Sequence, residues 1–148
     1  MTDNSLISML RLMRASDVVE QKISGAFSSV HGLALNEVFL LMYLDNAPQQ
    51  RLSRVELSRQ MHMSASTVTR MTVPLEKIGL VSRQSDTRDA RLAFVVLTQA
   101  GKTRITEARI TLTRQAERVF QDRWSDEEIK NLSNLLGRLV AGAPGELI

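Results

Sequence analysis

Apolar residues recur at helical spacing along most of the chain, and one short run near its middle departs from that pattern. Between Ser5 and Val30 the residues Leu6, Ile7, Leu10 and Met13, then Val19, Ile23, Phe27 and Val30, form an interrupted stripe. This predicts a long first helix, opened by Asn4 or Ser5, whose face is wide enough to need a partner. Gly32 breaks it, and Leu35 to Leu44 predicts a second, more apolar helix closed by Asp45-Asn46-Ala47-Pro48. Gln49 to Leu52 fits a short strand. Two short helical patterns follow, separated by a tight polar break. Ser53 with Glu56 three residues on makes a capping box for the first. Ser64 offers a cap for the second, in which Val68, Met71, Leu75 and Ile78 recur as one buried stripe. Gly79 ends that helix as a residue able to turn left-handed. Leu80-Val81-Ser82-Arg83 and Leu92-Ala93-Phe94-Val95-Val96-Leu97 then read as strands. Thr98 caps a long helix to about Arg123, with Ile105, Ala108, Leu112, Ala116 and Val119 on its buried side. Ser125-Asp126-Glu127-Glu128 is a further capping box before Ile129, Leu132, Leu135, Leu136, Leu139 and Val140, and Gly142-Ala143-Pro144-Gly145 frays the end.

The two short helices and the two strands make a winged helix-turn-helix. The fold expected is mainly α with a small β-hairpin: one domain over residues 1–148, in which 35–98 form the winged helix-turn-helix lobe and 1–34 with 99–148 form a helical dimerisation region. The second short helix turns Ser66, Thr67, Thr69, Arg70 and Val73 away from its apolar stripe. Short hydroxyls and one Arg near a helix N-terminus let a surface approach base edges and phosphates without bulk or negative charge. An ordinary amphipathic helix with a solvated face has the same pattern, and the next element changes the weighting. Ser85-Asp86-Thr87-Arg88-Asp89-Ala90-Arg91 is too polar for a core and lies between two strands, so it forms the charged tip of an antiparallel hairpin. An Arg on such a tip suits a narrow minor groove. The two Asp residues would be repelled by phosphate unless paired, so Asp86 is assigned to orient Arg88, and Asp89 to pair with Arg91 or Arg83. The DNA-binding residues are then Arg54, Ser64, Ser66, Thr67, Thr69, Arg70, Lys77, Arg83, Arg88 and Arg91.

The charge distribution points the same way. The net charge of +3 is modest, but residues 51–91 hold seven Arg and one Lys against two Glu and two Asp, a balance of +4, which leaves −1 for the remainder. Positive charge gathered on one lobe is the footprint of a phosphate-binding surface.

Taken in order, Glu56-Leu57, the run Ser64 to Arg70, Leu75-Glu76-Lys77-Ile78-Gly79-Leu80-Val81, the wing pattern Asp86-x-Arg88-Asp89-x-Arg91 and Leu97-Thr98-x-x-Gly101 resemble the MarR family of bacterial transcription regulators. The likeness extends over nearly the whole chain. It implies an obligate homodimer whose first and last helices pair, here through Leu6, Leu10, Ile129, Leu132, Leu135, Leu136 and Leu139. It also implies a palindromic double-stranded DNA operator and a small aromatic or phenolic effector bound between the dimer helices and the DNA lobes. Three positions depart from the family pattern. Pro74 stands where many members have a basic or polar residue, His62 occupies a turn where small residues are frequent, and Ser58 replaces a usual Ala. The alternative is a winged-helix protein-interaction module that does not bind DNA.

Enzyme chemistry finds no footing. His31 and His62 are the only histidines and neither has metal-ligand spacing; no Gly-rich phosphate loop or nucleophile motif is present, and no cofactor is expected. With no cysteine, thiol sensing and disulfides are excluded. Met13, Met61 and Met71 lie at core spacings, where Met fills gaps. The start lacks a basic leader, and the apolar run Val38 to Leu44 is too short to cross a bilayer, so no membrane association and a cytoplasmic location are expected.

Overall fold

The computed structural model describes residues 3–89 and 92–148. In order, they form α1 (Asn4–His31), α2 (Leu35–Asn46), a single 3-10 turn (Pro48–Gln50), β1 (Arg51–Ser53), α3 (Arg54–Met61), α4 (Ala65–Lys77), β2 (Val81–Ser85), β3 (Ala93–Leu97), α5 (Gln99–Phe120) and α6 (Asp126–Val140). The helix starts follow from side-chain oxygens that satisfy orphan backbone donors. Glu56 N–H donates to Ser53 Oγ at 3.1 Å while Ser53 N–H donates to Glu56 Oε2 at 2.8 Å. Ser125 and Glu128 repeat the box at 2.9 and 3.2 Å, and Thr98 Oγ1 accepts from Gly101 N–H at 3.0 Å. At α1 the cap is Asp3, whose carboxylate accepts from Ser5 N–H at 2.9 Å, one residue before the expected opening.

The core is built around α2, whose Leu35, Val38, Leu40, Leu41, Met42 and Leu44 are all buried. Phe27 at the end of α1, Leu57 of α3, Val68 and Leu75 of α4, and Ile105 and Ala108 of α5 close around it. The sheet has the order β1-β3-β2, both pairs antiparallel, with Leu52 opposite Val95 and Val81 opposite Leu97. Those four residues are buried, and the period of two sends Arg51, Phe94 and Gln84 to the outer face.

Gly101 explains the glycine in the Leu97-Thr98-x-x-Gly101 motif. A Cβ there would collide with the Leu80 carbonyl oxygen and stand 2.7 Å from Leu97 Cδ1. The first turn of α5 therefore sits directly on the root of the wing. Thr98 Oγ1 adds a hydrogen bond at 2.6 Å to the Gly79 carbonyl, and Gly79 itself has the left-handed φ of +80° at the end of α4.

Four expectations change in the folded chain. Ile78 is 58% exposed rather than part of the α4 stripe, because the helix closes at Lys77; Thr72 is buried instead, its hydroxyl donating to the Thr69 carbonyl at 3.1 Å. Met13 is 60% exposed, since α1 has left the core by that point. Helix α5 buries Ile105 and Ala108, but it projects beyond the lobe after Leu112, which leaves Ala116 exposed. The segment after Gly142 does not fray away: Leu147 rests against the core, and its carbonyl accepts from Arg109 Nη1 at 3.1 Å.

The two terminal helices carry little of the core. Leu6, Met9, Leu10, Leu12 and Met13 of α1 are exposed, as are Leu135 and Leu139 of α6, while Ile129, Leu132 and Leu136 are half-buried. No residue of α6 is buried. Among the described residues, no helix is long and apolar enough to cross a membrane.

Candidate nucleic-acid interface

The turn between α3 and α4 is held by backbone and hydroxyl bonds. His62 closes α3 in the left-handed region, at φ +53° and ψ +43°. Met63 N–H donates to the Ser58 carbonyl at 3.1 Å, and Ser58 Oγ donates to the Met63 carbonyl. Ser58 thus braces the turn, a role that an Ala cannot fill.

From this turn α4 presents a connected row of hydroxyls. Ser64 Oγ accepts from Thr67 N–H at 3.2 Å and lies 3.1 Å from Ser66 Oγ and 2.8 Å from Thr67 Oγ1. Arg70 Nη2 donates to the same Thr67 hydroxyl at 3.4 Å. Ser64, Ser66 and Arg70 are exposed and Thr67 half-buried, so the row faces outward with its cation at one end. Thr69 Oγ1 donates to the Ala65 carbonyl at 3.0 Å and accepts from Arg54 Nη1 at 3.2 Å. Arg54, assigned from sequence to DNA, is half-buried and committed to α4. Pro74, within the last turn, has no N–H for the Arg70 carbonyl four residues earlier. Lys77 ends the helix as an exposed cation, where the helix dipole favours one.

The wing lies beside this helix. Asp86 N–H donates to the Leu92 carbonyl at 2.9 Å, closing the hairpin. Asp86 Oδ1 accepts from the backbone N–H of Arg88 at 2.8 Å. The carboxylate expected to orient Arg88 therefore holds its main chain, as a short acidic side chain does in an Asx turn, and Arg88 is exposed. Arg83 lies 3.9 Å from Glu76 of α4, both side chains well exposed, so a long ion pair links the wing strand to the recognition helix. Arg91, the other partner considered for Asp89 and itself a DNA-binding candidate, lies outside the described residues.

Two residues that sequence reasoning passed over stabilise this arrangement. Arg51 places its guanidinium 4.5 Å from the centroid of the Phe94 ring and donates to Gln84 Oε1 at 3.1 Å, so one side chain from β1 crosses β3 to reach β2. Glu76 joins Arg54, Thr72, Arg83 and Val95 around the narrow cleft between α4 and the sheet. The period-two register of Arg51 with Phe94 and Gln84 is the signal that could have found the first. The second needed the tertiary approach of helix and wing.

No His, Cys, Asp or Glu cluster suited to a metal ion occurs among the described residues. A recess of about 380 Å³ opens between α1 and α2, lined by Glu20, Ser24, Ser28, Leu33, Leu35 and Asn36 among others.

Comparison with known proteins matches this geometry. The MarR family model fits residues 33–92. The HTH-type transcriptional repressor YetL of Bacillus subtilis is 32% identical over 112 residues, which are 73% of this chain and 66% of that protein. Sco3205, a MarR family transcriptional regulator from Streptomyces coelicolor solved in complex with DNA, superposes with a TM-score of 0.79 at 23% identity, over 95% of this chain and 91% of that one. A MarR family transcriptional regulator from Rhodococcus sp. RHA1 gives a TM-score of 0.83 at 18% identity, over 95% and 97% of the two chains. These two share its fold. The chain belongs to the MarR family, and it is a DNA-binding transcription regulator.

Proposed function

We propose that this protein is a ligand-responsive repressor that acts in the cytoplasm as a homodimer on a palindromic operator. The observation that carries the reading is the α4 face: an outward row of Ser64, Ser66 and Thr67 ending in Arg70, with no carboxylate in it, beside a wing that exposes Arg88. Hydroxyls and an Arg at a recognition-helix N-terminus supply donors to base edges and phosphates, and the wing Arg supplies charge to the flanking minor groove. Repression is supported by the similarity to YetL.

Dimerisation is supported by the exposed apolar residues of α1 and by α6, which buries none of its own. Contiguous apolar surface of this kind is rarely left to water. Two lobes on a two-fold axis would read half-sites about 10 bp apart, or a multiple of that.

For the effector, the recess between α1 and α2 has room for a small aromatic molecule. Of its described lining residues only Glu20 is charged, and Ser24, Ser28, Asn36, Leu33 and Leu35 line the recess with it. A carboxylate can accept a hydrogen bond from a phenolic hydroxyl, while a carboxylate ligand would meet like charge. This lining favours a phenol over an aromatic acid.

The test is binding-site selection on random duplexes followed by titration at several salt concentrations. A palindromic site with a steep salt slope is expected, and Thr67→Ala and Arg70→Ala should change which base pairs are preferred. Absence of salt-dependent binding to any duplex leaves the protein-interaction reading.

A further inference from the structure

We propose that Arg109, together with the C-terminal segment 143–148, is the positioning device that fixes the angle between the DNA lobe and the dimerisation helices. The inference rests on the homodimer reading above.

The Arg109 guanidinium, midway along α5, serves two acceptors. Nη1 donates to the Leu147 carbonyl at 3.1 Å and Nη2 to Asp45 Oδ2 at 3.3 Å, with side-chain exposures of 31% for Arg109 and 20% for Asp45. The other Asp45 oxygen accepts from Gln50 Nε2 at 3.1 Å. Gln50 immediately precedes β1, so this chain of bonds runs from the segment after α6, through α5 and the end of α2, to the root of the sheet. A second bond is independent of Arg109: Asn46 Nδ2 donates to the Glu146 carbonyl at 3.0 Å. Leu147 packs on the core, and Gly145, at φ +87°, lies so close to Gln60 of α3 that a Cβ would stand 2.5 Å from Oε1.

These contacts matter because no residue of α6 is fully buried within its own chain, and only Ile129, Leu132 and Leu136 are half-buried. A helix so lightly held at home can pivot against its own lobe when a partner takes hold of it. The segment that follows α6 instead returns to the lobe and is held by the ends of α2 and α3 and by α5. A guanidinium suits this post because its planar fork holds two acceptors at a fixed angle, which an ammonium does not.

The function served is register on DNA. Moving one half-site by a single base pair displaces it by about 3.4 Å and turns it by roughly 35° around the duplex. A rigid dimer cannot follow that turn. A dimer with released lobes can, at the cost of a lower effective concentration of the second lobe when spacing is optimal.

The experiment measures affinity of the intact protein for the selected operator and for versions with one or two base pairs added or removed between the half-sites. Wild type is compared with Arg109→Met, Arg109→Lys and a chain ending at Gly142. Sedimentation establishes the dimer, and circular dichroism the fold, for each. Wild type should lose about tenfold or more for one inserted base pair. Arg109→Met and the shortened chain should bind the best operator several-fold more weakly yet lose less than threefold on insertion, and Arg109→Lys should fall between. Half-site base preference should not move. Dimeric, folded variants with the wild-type spacing profile overturn the proposal. Should Arg109→Met not fold, the shortened chain decides. A wild type that is monomeric, or indifferent to spacing, overturns the dimer reading and this proposal with it, and that outcome shows in the control before any variant is considered.

Discussion

Arg54, the first residue of α3, reaches across the helix-turn-helix to donate a hydrogen bond at 3.2 Å to the hydroxyl of Thr69 on α4. The donor is half-buried and the acceptor already donates to the Ala65 carbonyl, so the bond locks both the Thr69 rotamer and the approach of the two helices. Arg54→Ala should therefore weaken operator binding and also change base preference near Thr69. Lys77→Ala, which removes an exposed cation, should weaken binding evenly across sequences and lower the salt slope by about 1. Selection and salt titration on both variants separate the two outcomes; equal profiles would return Arg54 to the class of simple phosphate contacts.

The wing predicts a graded pair. Arg88→Ala should cost about 1 kcal/mol or more of operator binding through loss of the minor-groove cation. Asp86→Ala should cost less, because its carboxylate holds the Arg88 backbone amide and leaves the guanidinium untouched. Gel shift at fixed salt reads both. Wild-type affinity in Arg88→Ala would place the wing off the DNA.

Replacing Leu132 and Leu136 together with Glu sets two like charges one helical turn apart on the apolar face of α6. In a desolvated seam neither carboxylate finds a cation without rearrangement. The expected result is a monomeric or aggregated protein with no operator complex at concentrations that saturate wild type. A dimer by analytical ultracentrifugation that still shifts the operator would take α6 out of the interface.

His62 holds a backbone conformation that suits glycine, at φ +53°. His62→Gly relieves that strain and should raise stability by up to about 1 kcal/mol, partly offset by the greater freedom of glycine in the unfolded chain. Urea denaturation checks the sign. A clear loss of stability would mean that the imidazole makes a contact worth more than the strain.

The Glu128 carboxyl is held below its ordinary range by the backbone N–H and then the hydroxyl of Ser125. Its folded pKa lies below its unfolded one, so the stabilisation is present above the unfolded value and is lost as pH falls through the folded one. Glu128→Gln should flatten the acid limb of helix content without shifting the neutral plateau by much, as read by circular dichroism across the carboxylate range. An unchanged acid limb would assign the acid sensitivity to other carboxylates.

Much of the fold was legible because its boundaries are local chemistry. Ser53, Ser64, Thr98 and Ser125 each cap the helix their spacing announces, and the two apolar runs on either side of the charged tip pair as expected. What escaped was decided by backbone or by distance along the chain. An Asp two residues before an Arg looks the same in sequence whether it binds guanidinium or amide, and here it binds the amide. Ile78 keeps the helical period one residue beyond the helix, because Lys77 closes it. Arg109, Asp45 and Leu147 are widely separated in sequence, so no local pattern announces that they meet.

Gly101 leaves no clearance between the first turn of α5 and the Leu80 carbonyl. A joint with no clearance transmits torque. A rotation of α5 would press its first turn against the root of the wing, so the two are expected to turn together. The compliance of the chain then lies elsewhere: at Gly32, where α1 gives way to α2 at a φ of +64°, and in the turn from Gln121 to Ser125 that joins α5 to α6. The wing and the first turn of α5 then form one stiff unit, and the sites to loosen or brace to alter its response are those two bends and the Arg109 contacts that tie segment 143–148 back to the lobe.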